Sequence, residues 1–234
     1  MRIEPEIDGV SIVLLGNFNP AIFTPAWFVL HGLLPQAVAD SEELAKRAVA
    51  HPEISHFQTD WLNLQVTTDK FDVRTLLAPH VRVRDLVVRL FKEYLYHTPL
   101  RAFGINRNVH FRVRDFNARD RIGRKLAPVE PWGAWGQQLG DSGRQGGMIS
   151  LTMRQVTVAG RPAGDQINVT VEPSNLIPEG APGVYVGVND HYTTGEADGH
   201  ESGGRLMDIL EQNFDSSVAY SKSIIDHTMS LVED

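Results

Sequence analysis

One stretch constrains this chain more than any other: Pro99 to Arg114, PLRAFGINRNVHFRVR. Side chains alternate along an extended strand, and here the alternation sorts residues by chemistry. Phe103, Ile105, Val109, Phe111 and Val113 share one face, while Asn106, Asn108, His110, Arg112 and Arg114 share the other. One face must meet an apolar core and the other must meet water or a partner. Arg107 interrupts the apolar row. Gly104 lies inside the strand, where glycine marks a bulge or a close backbone approach; a bulge there is expected to shift the register and carry Arg107 off the core face.

The remaining elements follow in chain order. Val10 to Leu15 reads as a short apolar strand closed by the turn-rich Gly16-Asn17-Phe18-Asn19-Pro20. Thr24 before Pro25 is a helix start, predicting a short buried helix to Leu34, and Asp40 with Glu43 predicts a second over Ser41 to Ala50, stopped by His51-Pro52. Trp61 to Thr67 and Lys70 to Leu76 alternate around Thr68-Asp69 as a hairpin. From Val83, residues Leu86, Val87, Leu90, Phe91, Tyr94 and Leu95 keep helical spacing, with Arg82, Arg84, Arg89 and Lys92 outside. A short basic helix is expected over Asn117 to Leu126.

Pro128 to Gly147 has no clear period and reads as a linker or surface loop with Trp132 and Trp135 as aromatic anchors. Three strands follow, Met148 to Val158, Gln166 to Val171 and Gly183 to Tyr192. Their apolar faces are Ile149, Leu151 and Met153, then Ile167, Val169 and Val171, then Val184, Val186 and Val188. Thr152, Arg154, Asn168, Thr170 and Asn189 lie opposite. A long helix from about Ser202 to Leu231 ends the chain. Runs of strands followed by a helix predict an α+β fold, an antiparallel sheet or sheets with two long amphipathic helices packed on one face. Two loosely similar halves are expected, residues 1–127 and 148–234 around the 128–147 linker, in one unit.

Composition removes several classes. The 234 residues contain no cysteine, which excludes disulfides, thiol catalysis and cysteine-ligated metals. No apolar run approaches the roughly 20 residues of a membrane span, and the acidic MRIEPEIDGV does not open like a signal peptide, so a cytoplasmic protein with no membrane partner is expected. The sequon Asn168-Val169-Thr170 would be silent there. Net charge is −7, yet Arg101, Arg107, Arg112, Arg114, Arg119, Arg121, Arg124 and Lys125 stand against only Asp115 and Asp120 in one segment. That segment either contacts phosphate or is internally ion-paired, and pairing is the more ordinary outcome.

Gly140-Asp141-Ser142-Gly143 matches the tetrapeptide around a serine-protease nucleophile, but Arg144 follows and no histidine context accompanies it, so a glycine-rich loop explains it better. Asp190, His191, Glu196, Asp198, His200 and Glu201 crowd into twelve residues with enough oxygen and imidazole for a divalent metal. Their spacing matches no metal motif. Asp190, His191, Asp198, His200 and Glu201 are the metal candidates, against a plain acidic loop. Walker and dinucleotide glycine patterns are absent, and no cofactor is expected. The candidate binding residues are Asn106, Asn108, His110, Arg112, Arg114, Trp132 and Trp135.

At HTPLRAFGINRNVHFRV, GVYVGVNDHY and LEQNFDSSVAYSKSIIDHTM the chain resembles an uncharacterised, sporadically distributed bacterial protein family of roughly this length. That family has no established activity, so the resemblance implies a bacterial cytoplasmic protein and assigns no catalytic residue. The leading expectation is a non-enzymatic binding or accessory protein acting through protein contacts, with an antitoxin or defence-system component as one form. The alternatives are a metal-dependent enzyme using the Asp190–Glu201 loop and nucleic-acid binding through residues 101–125. Self-association is compatible with all three.

Overall fold

The long strand sits near the middle of one antiparallel sheet. In the computed structural model, which describes residues 3–140, 146–156, 159–161, 164–178, 180–193 and 200–233, the strands are Ile7–Gly16 (β1), Val49–Ala50 (β2), Ile54–Gln58 (β3), Asn63–Thr67 (β4), Lys70–Thr75 (β5), Leu100–Arg112 (β6), Leu151–Val156 (β7), Gln166–Pro173 (β8) and Gly183–Thr193 (β9). Their order is β2-β3-β4-β5-β1-β6-β9-β8-β7. The helices are Pro25–Leu30 (α1), Gln36–Ala39 (α2), Glu42–Arg47 (α3), Val81–Arg89 (α4), Phe116–Leu126 (α5), Gly133–Gly140 (α6) and the 31-residue His200–Ser230 (α7). The fold is α+β, and no helix among the described residues is long and apolar enough to cross a membrane.

Apart from the two-residue edge strand β2, the strand order is symmetric about the β1–β6 pair. Each half runs central strand, helical connection, outer strands, then a covering helix: β1 through α4 in the first half, β6 through α7 in the second. Ser11 faces Asn106 at the midpoint of the central pairing, which extends from Ile7 opposite His110 to Leu15 opposite Ala102. One residue along each strand, the register then steps outward in parallel fashion. Ile12 leads to Val73, Leu64 and Phe57, and Arg107 leads to Val188, Val169 and Met153.

All the apolar faces point to one side. There Ile12, Leu14, Phe71, Val73, Phe103 and Ile105 meet Val83, Leu86, Val87 and Leu90 of α4 and its extension, and Leu206, Leu210 and Phe214 of α7. A second cluster joins Val109, Phe111, Val184 and Val186 to Ala118 and Ile122 of α5 and to Ile225 and Met229 of α7. The helix over the first half ends in a wider, π-type turn at Leu90–Tyr94, so it is shorter as an α-helix than its apolar spacing to Leu95 predicts.

Several expectations are corrected. The register through Gly104 is unbroken on both sides, so Arg107 stays on the core face. It survives there because Asp8 pairs with it at 2.6 Å, with only 11% of the Arg107 side chain exposed. Gly104 answers to close approach instead: a Cβ would stand 2.7 Å from the Asn189 amide nitrogen lying over it. Helix α1 stops at Leu30, with Gly32 in the left-handed region at φ +61, and Leu30 is exposed while Phe28 is buried. The second helix is α3, capped by Ser41, whose hydroxyl accepts the Leu44 amide, and not by Asp40. The chain then turns into β2 and β3, strands that the helix pattern and His51-Pro52 concealed. Within the 128–147 segment read as a linker or surface loop, residues 130–140 form a 3-10 turn at Glu130–Trp132 and helix α6. The apolar face expected for β7 is uncovered: Ile149 is 83% and Met153 64% exposed.

Phe57 and Met153 occupy equivalent sheet positions, but Phe57 is buried beneath Phe28, ring centroids 5.3 Å apart. Replacing Phe57 with Ala is therefore expected to cost about 3–5 kcal/mol of stability. Met153→Ala should cost less than about 0.5 kcal/mol. Urea unfolding of the two variants measures the contrast directly.

Candidate functional site

The face of the sheet opposite α4, α5 and α7 is polar. Even-numbered residues of β6 point to it, which brings Asn106, Asn108 and His110 together as the alternation predicts. Their register then supplies neighbours from three further strands. Arg154 of β7 donates to Asn168 Oδ1 at 2.7 Å, Asn168 donates to Asn189 Oδ1 at 3.2 Å, and Asn189 donates to Asn106 Oδ1 at 2.5 Å. One row of hydrogen bonds thus crosses β7, β8, β9 and β6. Ser11 and Arg74 continue the same row through β1 and β5. A second rung pairs the Thr152 and Thr170 hydroxyls at 3.0 Å, and the Tyr185 hydroxyl donates to Asn108 Oδ1 at 2.6 Å.

An amide carries two N–H donors and two acceptor lone pairs. Each Asn of the ladder spends part of that capacity on its neighbour, which fixes its rotamer, and Asn106, Asn168 and Asn189 remain half-exposed with the rest of it. The sequence showed Asn168, Asn189 and Arg154 as polar positions on their own strands. Only the strand register, set by contacts distant in sequence, shows that they form one row with Asn106.

His110 lies at the end of this face, 5% exposed, with Nδ1 2.8 Å from the Ser174 hydroxyl and its ring against Tyr185 at 4.8 Å. Burial pushes its pKa down. Arg112 pairs with Glu6. Arg114 pairs with Asp115 at 2.8 Å, and the other oxygen of that carboxylate caps α5 by accepting the Ala118 amide. Arg119 reaches Asp120 at 3.3 Å and Arg107 is held by Asp8. Four of the eight cations in the basic segment are thus already ion-paired. Trp132 and Trp135 sit elsewhere, on the 3-10 turn and α6, 62% and 55% exposed and edge to face at 5.5 Å.

The metal candidates divide. Asp190 and His191 are consecutive in β9 and therefore point to opposite faces. Asp190, 2% exposed, is gripped by both terminal nitrogens of Arg161 at 2.5 and 3.2 Å and accepts the Tyr192 hydroxyl at 2.9 Å. Arg161 also lies over the Tyr192 ring at 4.3 Å. Nearby, buried Asp165 accepts the Thr193 amide at 2.7 Å, and burial raises its pKa. This cluster clamps the β7–β8 connection onto β9. Asp198 and the side chains of His200 and Glu201 lie outside the described residues, as does the Asp141-Ser142-Gly143 segment. Among the described residues no three His, Asp or Glu side chains gather closely enough to hold a metal ion.

No protein-family model matches the chain, and no curated protein matches it.

Removing one partner of a buried, hydrogen-bonded ion pair strands the other charge. Asp190→Ala is expected to lower stability by roughly 3 kcal/mol, read by urea unfolding. A separate pH signature comes from three histidines, His110 buried and His80 and His191 half-buried. His80, His110 and His191 all have folded pKa values below the usual range near 6.5, each mainly through burial. The unfolded chain then binds protons more readily, so their contribution is fully present above pH 6.5 and is lost as pH falls below it. His110→Gln should make the unfolding free energy fall less steeply between neutral and mildly acidic pH.

Proposed function

We propose that this is a non-enzymatic binding protein that holds a protein partner on the open face of its sheet. The observation that carries this reading is the row of hydrogen-bonded amides across β8, β9 and β6, joined at its outer end by Arg154 of β7. A stiff antiparallel sheet presents neutral donors and acceptors in fixed positions, so binding costs little side-chain ordering. Neutral amides at the centre of a surface are also cheaper to desolvate than carboxylates or ammonium groups, and the centres of protein interfaces are depleted in charge for that reason. Ser11, Asn106, Asn108, Asn189, Asn168 and Thr170 form a neutral stretch across β1, β6, β9 and β8, flanked by Asp72 and Arg74 on β5, Arg154 on β7, and Arg112 and Glu172 at the strand ends.

Protein is favoured over nucleic acid by charge. Sequence-independent nucleic-acid affinity grows with the number of phosphates neutralised, and Arg107, Arg112, Arg114 and Arg119 already have carboxylate partners. The metal-enzyme reading loses Asp190 in the same way, because its carboxylate is occupied by Arg161.

The test places charge in the middle of the face without touching the core. An Asn168→Lys, Thr170→Lys double variant should fold with an unchanged melting temperature. In quantitative affinity purification it should lose the proteins that accompany the wild type. An identical set of co-purified proteins would refute the open face as the docking surface.

A further inference from the structure

The two outer strands β3 and β7 are equivalent by register, yet only one is covered. In the first half the connection from the central strand to the outer strands supplies the cover: Phe23 and Phe28 follow β1 and close over Phe71 and Phe57. The corresponding connection in the second half, after β6, also carries large aromatic side chains, Trp132 and Trp135. These are exposed, and so is the strand they would be expected to cover. The molecule thus presents aromatic anchors without a seat and a seat without anchors.

The seat is formed by half-buried Leu151 and exposed Met153 on the helix side of β7, with exposed Ile149 just before the strand. It runs on from a cavity of about 320 Å³ bordered by Phe116, Ile122, Met148, Val171 and Val184. The anchors form one block, because the two indoles stack edge to face and their helix stands clear of the core. Gly136 sits so close to the Val129 carbonyl that no side chain fits between them. That contact ties α6 to its own approach segment and leaves the indoles exposed.

We propose that this surface is a self-association site, in which α6 of each copy lies over β7 of a second copy of the chain. A two-fold interface needs one patch that carries both sides of every contact, and this patch does. Val129, whose carbonyl accepts the Trp132 amide, borders the same cavity as Ile149 and so joins the tryptophan segment to the strand row, and the exposed residues around it carry both signs, Arg124 and Lys125 with Glu130. The first half of the same chain shows that such a strand is closed by a short helix with aromatic anchors. The site is separate from the open polar face and does not depend on what binds there.

Sedimentation velocity from low micromolar concentration upward is the test, on the full chain and two variants, Met153→Asp and the double variant Trp132→Ser, Trp135→Ser. All the altered side chains are exposed, so melting temperatures should match the wild type. The wild type should show a concentration-dependent dimer, and each variant should weaken it at least about tenfold, as loss of a central aromatic anchor does. An equimolar mixture of the two variants should recover part of the dimer, since tryptophans from the first variant can still cover Met153 of the second. A wild type that stays monomeric, a dimer that tolerates both variants, or a mixture no better than its components would overturn the proposal.

Discussion

The antiparallel pairing of Ile7–Gly16 with Leu100–Arg112 is the contact on which the rest of the molecule depends. It joins residues about ninety positions apart and sets the junction of the two halves within the sheet at its centre, while α7 of the second half also packs against α4 of the first. Because antiparallel partners share faces in register, fixing Ser11 opposite Asn106 fixes the facing of every other strand. A slip of one residue would exchange the apolar and polar rows throughout. Burial of Ile12, Leu14, Phe103 and Ile105 beneath α4 and α7 makes that slip prohibitive.

The same pairing creates a difficulty at its middle. Val10 faces Arg107, a cation on the core side, at the seam between the two apolar clusters. Asp8 answers it with two hydrogen bonds, at 3.1 and 2.6 Å, and the Val218 carbonyl of α7 accepts a third at 3.4 Å. An isolated buried guanidinium would be far more costly than this paired one. The equivalent position in the first half is Ile12, so the two halves share an architecture while one of them carries a polar tie between strand, neighbouring strand and helix.

The faces then take opposite chemical roles. On the helix side, aromatic and branched residues settle stability, with Phe18, Phe23, Phe28, Phe57, Phe71 and Phe91 linked through ring contacts in the first half. On the open side, neutral amides bond sideways across strands and stay half-exposed. The second half is the less closed of the two. Its outer strand and tryptophan pair stay at the surface, where the first half has buried their counterparts.

Much of this was legible in local pattern. The alternation in residues 103–113 identified both faces of the central strand, the 3-4 spacing from Val83 found α4, and Thr24-Pro25 marked the start of α1, because these signals act between neighbours a few residues apart. Other features were not local. Ile54–Gln58 became a strand only because Leu64 and Val66 lie beside it, and Arg107 stayed inward only because Asp8 was there to receive it. The polar residues of β6, β8 and β9 were visible in sequence as separate half-faces. Their union into one ladder, and the exposure of Ile149 and Met153 on a strand patterned for a core, were decided by tertiary structure. Alternation states that a strand has two faces, whereas the long-range register determines which residues share a row and which face finds a cover.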